Sequence, residues 1–377
     1  MNISFLYYSI IVINALIFLV GRKNRLISIP SAIFLILFLM GKRFADNFIA
    51  YDLRNFANTY DNLENYSTLE IGYKFINQVA NEFNLPFESF YMILVASIVL
   101  LFLISVKKIG GNLHIFIMSY MIYYVLVTMD QLRNQSALAL FMFLLFPLFY
   151  YKNRILQKRG LWYVFICLAV ASMFHVSFLL YIVPLYLCCK KEDSFLMKWM
   201  IVMVLLYFTM MITSSNDLLK PFLISMIDNS DYAQDKYGGY LENRTSLSSF
   251  ASLIIYLVLL FSVYRLKMKN KISSDFSNEF SVKIIDSYYK FVLAASFFLP
   301  FLLIDAVYYR YIRDVTFIGI AYLGINSVSF QTNFLRRLET LSYTLAISIG
   351  WFVFDIVIKG YTYDYIMFFF DNEIIKI

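Results

Sequence analysis

NLHIFIMSYMIYYVLVTMDQLRNQSALALFMFLLFPLFYY (residues 112–151) sets a pattern that recurs along the whole chain. Two apolar runs flank a short polar segment, MDQLRNQSA (129–137), in which Arg133 follows Asp130 by three residues. Apolar runs of about 17 to 20 residues have the length at which an α-helix crosses a hydrocarbon core roughly 30 Å thick. The stretch therefore predicts two membrane-spanning helices that meet at a polar turn carrying a charge.

The composition extends this prediction to the full 377 residues. Hydrophobic residues make up 61%, aromatic residues 19% and charged residues 15% of the chain, and the mean hydropathy is +0.68. These values exclude a soluble domain built around a single core. They predict an all-α polytopic membrane protein with about twelve transmembrane helices in one integral membrane domain, residues 1–377. The candidate spans are 3–20, 26–41, 88–106, 112–129, 135–151, 161–174, 177–189, 196–213, 247–264, 288–305, 314–330 and 340–358.

The charges predict how the chain is oriented in the membrane. Basic residues gather in alternate connections, and the positive-inside rule places those connections in the cytoplasm. The opposite connections hold most of the acids, and two of them, about 42–87 and 214–246, are long extracytoplasmic loops. The net charge of +7 is thus a sum over two unlike faces, and we expect no nucleic-acid binding.

Within the first long loop, LEIGYKFINQVANEF (69–83) has apolar residues at mostly helical spacing. An amphipathic helix lying along the membrane surface would show this pattern. A helix that only docks against the bundle and covers it would show it equally well.

Arg133 lies close to hydrocarbon, where a charge is costly unless it faces water, a partner or a ligand. A guanidinium matches a phosphate or diphosphate in two-point contact, so Arg133 predicts an anion site at the outer membrane boundary. The alternative is an arginine that extends to the lipid headgroups or pairs with Asp130.

Other residues that could take part in binding recur at the same membrane face. In LIDAVYYRYIRDV, Arg310 and Arg313 are three residues apart and share one face if the segment is helical, which would make a second cationic clamp. A tight turn stabilised by Arg–Asp pairs is the alternative. Arg43, at the end of a span, is a further anion contact. Beside a Gly238–Gly239 turn, three tyrosines offer rings on which sugars stack: Tyr232, Tyr237 and Tyr240.

Three groups compete for the role of proton acceptor: Asp52, Glu70 and His175. His175, in SMFHVSF, is one of two histidines; the other, His114, lies at the predicted cytoplasmic start of a span, and we expect it to have no polar company. One histidine without cysteines or carboxylates clustered at ligand spacing is weak evidence for a zinc site.

Several of these segments resemble, in the same order, the Wzy/EpsG-type polysaccharide polymerases. The resemblance runs from about Gly41 to about Tyr322, through GKRF, YDLRNFANTY, LEIGYKFIN, QLRNQSALALFMF, LAVASMFHVSFLLYIVPLY, a tyrosine-rich loop and YYRYIRD. Its most specific parts are the arginine before a small-residue helix and the His-x-Ser after a span. The glycine–aspartate step that usually follows the early arginine is replaced by FADNFIAYD, which makes Asp52 the nearest equivalent of the family's early aspartate.

The resemblance implies a GT-C-like glycosyltransferase in the bacterial cytoplasmic membrane that needs neither a metal nor another cofactor. It would join undecaprenyl-diphosphate-linked oligosaccharide repeat units on the extracytoplasmic face into an O-antigen, capsule or exopolysaccharide, releasing undecaprenyl diphosphate. The partners expected are the lipid-linked oligosaccharide, the bilayer and a chain-length regulator. The residues alone also fit a flippase for lipid-linked oligosaccharides, although their charges gather at one face, and a glycan acyltransferase, although no second histidine accompanies His175.

Overall fold

A computed structural model describes residues 3–21, 25–41, 51–63, 69–150, 160–213, 246–272, 279–304, 308–325, 334–358 and Ile375. Over these residues the chain is almost entirely helical and has no strand, which confirms the all-α class. The helices in chain order are α1 (Ile3–Val20), α2 (Arg25–Met40), α3 (Tyr51–Asp61), α4 (Ile71–Glu82), α5 (Phe87–Lys108), α6 (Leu113–Ser119), α7 (Val125–Asp130), α8 (Leu132–Tyr150), α9 (Gly160–Ser172), α10 (Ile182–Lys190), α11 (Asp193–Thr213), α12 (Ser246–Ile272), α13 (Glu279–Ala295), α14 (Tyr309–Leu323) and α15 (Phe334–Val353).

Short segments of other helical types join or extend these helices. A π-helical turn, Tyr120–Tyr124, links α6 to α7, and a second, Phe354–Ile358, follows α15. A 3-10 helix, Val176–Tyr181, precedes α10, and two more, Ser296–Phe298 and Pro300–Leu303, follow α13. The π turns matter below because their side chains meet.

Five helices in the described part of the chain are long and apolar enough to cross a membrane: Ile3–Val20, Phe87–Lys108, Asp193–Thr213, Leu247–Lys269 and Ser281–Leu303. Each of the other predicted spans overlaps a shorter or more polar helix. In the first and third of the five, only 17% of the apolar window is buried inside the protein. Apolar surface of that extent is stable in hydrocarbon rather than in water, so these helices fit the lipid-facing side of the bundle.

Helix α14 occupies the opposite position, at the centre of the bundle. All of its residues except Arg310 are buried, and Phe317 contacts four aromatic rings from α5, α6 and the first π turn. A helix enclosed on all sides by protein can carry polar groups that lipid would not tolerate, provided that other side chains satisfy them. This placement explains why α14 holds charged residues.

Three boundaries differ from the sequence prediction. The connection expected at 130–134 contains a single non-helical residue, Gln131, so Arg133 lies on the first turn of α8. The connection expected at 306–313 ends earlier, since α14 begins at Tyr309 and contains both Arg310 and Arg313. A hydropathy pattern leaves arginines out of a predicted span, whereas in this protein Arg310 and Arg313 both lie within α14. The long loop 42–87 contains the predicted helix, confirmed as α4, and also α3.

His114 has polar company that its sequence neighbours do not supply. Its Nδ1 lies 2.7 Å from the Asn14 side-chain oxygen, and the Asn14 amide donates to Ser31 at 3.0 Å. The three residues are buried and come from α6, α1 and α2. The expectation of an isolated His114 was therefore wrong, because its partner lies 100 residues away in sequence.

Gly319 allows α14 to approach its neighbours closely, and substitution should reveal this. A Cβ at Gly319 would overlap Leu259 and come within 2.7 Å of the Tyr288 hydroxyl, which donates to the Val315 carbonyl. We expect Gly319→Ala to destabilise the protein by about 1–3 kcal/mol, the usual cost of overpacking a core. Thermal unfolding of the detergent-purified protein measures this change.

Gly350→Ala is the matched control, because its added methyl group meets only the Ile255 side chain, at 3.2 Å. An alanine there also favours the helix. Equal unfolding temperatures for the two variants would contradict the close packing of α14.

Candidate functional site

The candidate site is built around the break between α7 and α8. Helix α7 ends at Asp130, Gln131 leaves helical geometry with φ −115° and ψ 56°, and α8 begins at once with Leu132. The Gln131 backbone still bonds both helices, donating to Val127 and accepting from Gln135. Consequently the polar side chains of 131–135 project from one rigid turn rather than from a flexible loop.

Arg133 forms an ion pair with Glu70 from the start of α4, with Nη1 2.8 Å from Oε2. Glu70 is buried, whereas a quarter of the Arg133 side chain, 26%, is exposed. The guanidinium also lies over the Phe56 ring of α3, 5.5 Å from its centroid. Its Nε has no hydrogen-bond partner among the described residues. Arg133 is thus held in place on one side and keeps donor capacity on another.

Arg313 has a different environment. It is only 1% exposed, its Nη2 donates to the Gln131 side chain at 2.6 Å, and it lies 5.3 Å from the Tyr309 ring centroid. The adjacent Asp314 is buried as well and accepts a long, 3.5 Å hydrogen bond from Asn134. Two residues of the α7–α8 turn therefore contact two residues of α14. The turn and α14 form one polar unit inside the bundle.

A second buried carboxylate acts on Arg313. The Tyr123 hydroxyl donates to Asp355, which joins the two π turns, and Asp355 and Asp314 both stabilise the Arg313 charge electrostatically. Sequence reasoning missed Asp355, although a lone acid in GWFVFDIVI is the kind of residue that marks a functional or buried polar position. Nothing in the sequence points to Tyr123 as its partner.

His175 is tied to the same region through the backbone. Its Nδ1 shares a hydrogen bond with the Ser177 hydroxyl. Just before it, the Met173 carbonyl accepts from the backbone N–H groups of Gly72 and Tyr73, at 2.8 and 3.3 Å. Just after it, the Ser177 carbonyl accepts from the Tyr311 hydroxyl at 3.3 Å. The His175 segment thereby bridges the start of α4, beside Glu70, and the start of α14.

Tyr73 adds a neutral hydroxyl near the ion pair. Burial raises the pKa of Tyr73, while the positive charge of Arg133 opposes that rise. The hydroxyl lies on a fully buried ring, and its hydrogen bond with the Asn77 side chain also opposes the rise. It therefore stays protonated and has a donor to offer.

Of the remaining candidates, the structure describes Arg310 and the backbone of Asp52. Arg310 is half-buried on the first turn of α14 and lies near enough to Asp314 to interact electrostatically. Asp52 is on the first turn of α3, one turn before Phe56, and its side chain lies outside the described residues. Arg43, Tyr232, Tyr237 and Tyr240 also lie outside them. The described residues contain no group of three or more histidine, cysteine or acidic side chains that could hold a metal ion.

A family model described as the EpsG family matches residues 26–287, more than half of the chain. The match runs from α2 into α13, so it contains Glu70, Arg133 and His175 and ends before Arg310 and Arg313. No curated protein and no solved structure matches the chain.

Gln131 should be required for a stable fold, because it is the hydrogen-bond acceptor for a buried guanidinium. We expect Gln131→Leu to cost about 1–3 kcal/mol, since a buried donor is left without its acceptor. Gln78→Leu is the control: Gln78 is exposed on α4 and its side chain has no hydrogen-bond partner among the described residues. Thermal unfolding of both variants compares them, and an unchanged Gln131→Leu protein would exclude this role.

Proposed function

The chain belongs to the EpsG family, and we propose that it polymerises undecaprenyl-diphosphate-linked oligosaccharide repeat units into a surface polysaccharide on the extracytoplasmic face. Family membership and the apolar helices indicate a multi-pass membrane protein with a role as a polysaccharide polymerase. The lipid carrier, the direction of chain growth and the release of undecaprenyl diphosphate are part of the proposal. So are twelve spans, a GT-C-like arrangement and a bacterial cytoplasmic membrane.

One observation carries the proposal. The turn at Gln131 brings a partly exposed arginine, Arg133, against a buried carboxylate, Glu70, and fixes both by contacts with α3, α4 and α14. A fixed cation beside a fixed proton acceptor is what transfer from a diphosphate requires. Charged side chains on a solvated loop would not be fixed by contacts with three helices.

The reaction assigns Arg133 to the leaving group. A hydroxyl of the incoming unit attacks C1 of the growing chain, the bond from C1 to the diphosphate oxygen breaks, and the electron pair leaves with the lipid diphosphate. Negative charge grows on the diphosphate as this happens, and a prepositioned guanidinium stabilises it best where water is scarce. Glu70 uses one donor of Arg133, and 26% of the side chain is exposed, so the exposed part of the guanidinium can contact a phosphate oxygen.

The other arginines have separate roles in this proposal. Arg310, half-buried at the start of α14, is the second contact for the diphosphate in this proposal. Arg313 is enclosed, so it acts by holding Gln131 and thereby the turn that carries Arg133. Arg43 supplements the anion contacts, and Tyr232, Tyr237 and Tyr240 stack against sugars. A chain-length regulator is the proposed protein partner.

The acceptor hydroxyl must lose a proton, and Glu70, Asp52 and His175 remain the proposed acceptors. Glu70 is favoured because its carboxylate touches Arg133, so the proton acceptor would lie beside the bond that breaks. An arriving diphosphate competes with Glu70 for the guanidinium. Binding of the donor would then release the carboxylate at the moment when it is needed.

Arg133→Ala should abolish long polymer while the protein remains in the membrane. Loss of a prepositioned charge donor costs about a hundredfold or more in rate. Arg133→Lys should recover little, since an ammonium lacks the planar fork. The measurements are the length of surface glycan on gels and the amount of lipid-linked single units on the outer leaflet, with protein abundance checked by immunoblot.

Arg265→Ala provides the control, because Arg265 is half-exposed and pairs with Glu339 at 3.6 Å, away from Arg133. Normal polymer in the Arg133→Ala strain would refute the role of Arg133. Units accumulating on the inner leaflet of a deletion strain would instead identify a flippase.

Glu70→Gln separates the proton acceptor from the ion pair, since glutamine still accepts a hydrogen bond from Arg133. We expect a loss of about a hundredfold or more in polymerisation rate, as general-base catalysis provides. Asp52→Asn and His175→Gln should cost less. Incorporation of labelled repeat units in membrane vesicles measures the rates, and a larger loss in Asp52→Asn would move the assignment to α3.

A further inference from the structure

A polar cleft on the proposed outer surface has no role in the chemistry described so far. It has a volume of about 620 Å³ and lies between the end of α3 and the outer part of α4. We infer that it binds the oligosaccharide of a lipid-linked repeat unit, and this inference rests on the proposed polymerase function. Clefts of this size commonly hold small ligands. The lining residues are Tyr60, Asp61, Asn62, Leu63, Lys74, Gln78, Asn81 and Glu82.

The chemistry of the lining fits a sugar better than other ligands. It combines two carboxylates, three amides and one ammonium, with Leu63 as the sole aliphatic residue. Sugar hydroxyls both donate and accept hydrogen bonds, so mixed donors and acceptors suit them. A lipid tail would need an apolar lining, and a nucleic acid or other polyanion would be repelled by Asp61 and Glu82.

The base of the cleft is rigid, and its rim is available. The Tyr60 hydroxyl donates to the Leu85 carbonyl at 2.6 Å, and the Asn81 amide donates to the Tyr60 carbonyl at 3.1 Å. By contrast, the side chains of Asp61, Lys74, Gln78 and Glu82 make no hydrogen bond or ion pair with any described residue. Unused polar groups over a fixed base can bind a ligand without first breaking contacts of their own.

Helix α4 has a buried side and an exposed side, and the residues of the exposed side indicate where the cleft opens. One face, including Tyr73 and Asn77, is buried in the bundle. A second carries the cleft residues Lys74, Gln78, Asn81 and Glu82. The same side also exposes apolar residues, with Ile71 at 71% and Phe75 at 61%, and Phe83 just after the helix is 72% exposed. Apolar and polar side chains exposed together fit a membrane interface, which would open the cleft at the level of lipid headgroups.

The cleft also lies on a path to the ion pair. Lys74 follows Glu70 by one helical turn, and the Lys74 backbone N–H donates to the Glu70 carbonyl at 2.9 Å. Glu82 lies twelve residues beyond Glu70, which corresponds to about 18 Å along the helix. A glycan longer than one sugar can therefore occupy the cleft while its reacting end reaches Glu70 and Arg133.

Binding of soluble glycan tests the inference separately from catalysis. The probe is a set of fluorescently labelled oligosaccharides of one to three repeat units, released from the host's own surface polysaccharide and therefore free of lipid and diphosphate. Fluorescence anisotropy with the purified full-length protein in nanodiscs measures the Kd. We expect Gln78→Ala and Glu82→Gln each to weaken binding several-fold, up to about tenfold, the range for loss of one or two hydrogen bonds.

Two controls make the result specific. Glu88→Gln changes an exposed acid at the start of α5, outside the cleft, and should bind like the natural protein. Arg265→Ala, at an ion pair with Glu339 outside the cleft, should also bind these glycans normally. No binding by the natural protein, or unchanged binding by both cleft variants, would overturn the inference. If the cleft variants bind weakly but Arg133→Ala still makes long polymer, the cleft holds glycan and the proposed catalytic function fails.

Discussion

The arrangement of the site follows from the need to satisfy a guanidinium inside a membrane bundle. Arg313 has almost no access to solvent, so its donors must find acceptors within the protein. Gln131 provides one because it stands between two helices, with its side chain turned towards α14. The break in the helix and the buried arginine therefore depend on each other. An uninterrupted helix through 131 would also change the direction in which Arg133 projects.

Arg313 and Arg133 have different surroundings and therefore different roles. Arg313 lies beside the Tyr309 ring, and Asp314 and Asp355 stabilise its charge electrostatically. Arg133 has one acidic partner, an aromatic ring beneath it and part of its surface open. Rigidity in one guanidinium and spare donor capacity in the other suit a site in which charge must be stabilised without reorganisation.

Sequence patterns predicted what depends on local composition: the all-α class, the helical segments beneath the apolar runs, and α4. They also indicated Arg133, Glu70 and His175 from polar residues beside apolar spans. They could not identify the partner of Arg133, since Asp130 is three residues away and Glu70 is 63. Nor could hydropathy place the start of α14, because it scores Arg313 as if it faced lipid. The apolar residues Leu53, Phe56 and Tyr60 do have the spacing of a helix, so α3 was predictable.

The separation of the cleft from the ion pair has a consequence for specificity. Residues such as Gln131 and Arg313 are buried and bonded to one another, so replacing them disturbs the fold as well as the chemistry. Four of the cleft side chains, Asp61, Lys74, Gln78 and Glu82, make no hydrogen bond or ion pair with a described residue, so they can change with little effect on stability. One backbone contact, from Gly72 and Tyr73 to the Met173 carbonyl, fixes the helix that carries both features. In the proposed polymerase, recognition of different sugars can therefore vary on α4 while the geometry assigned to the diphosphate stays the same.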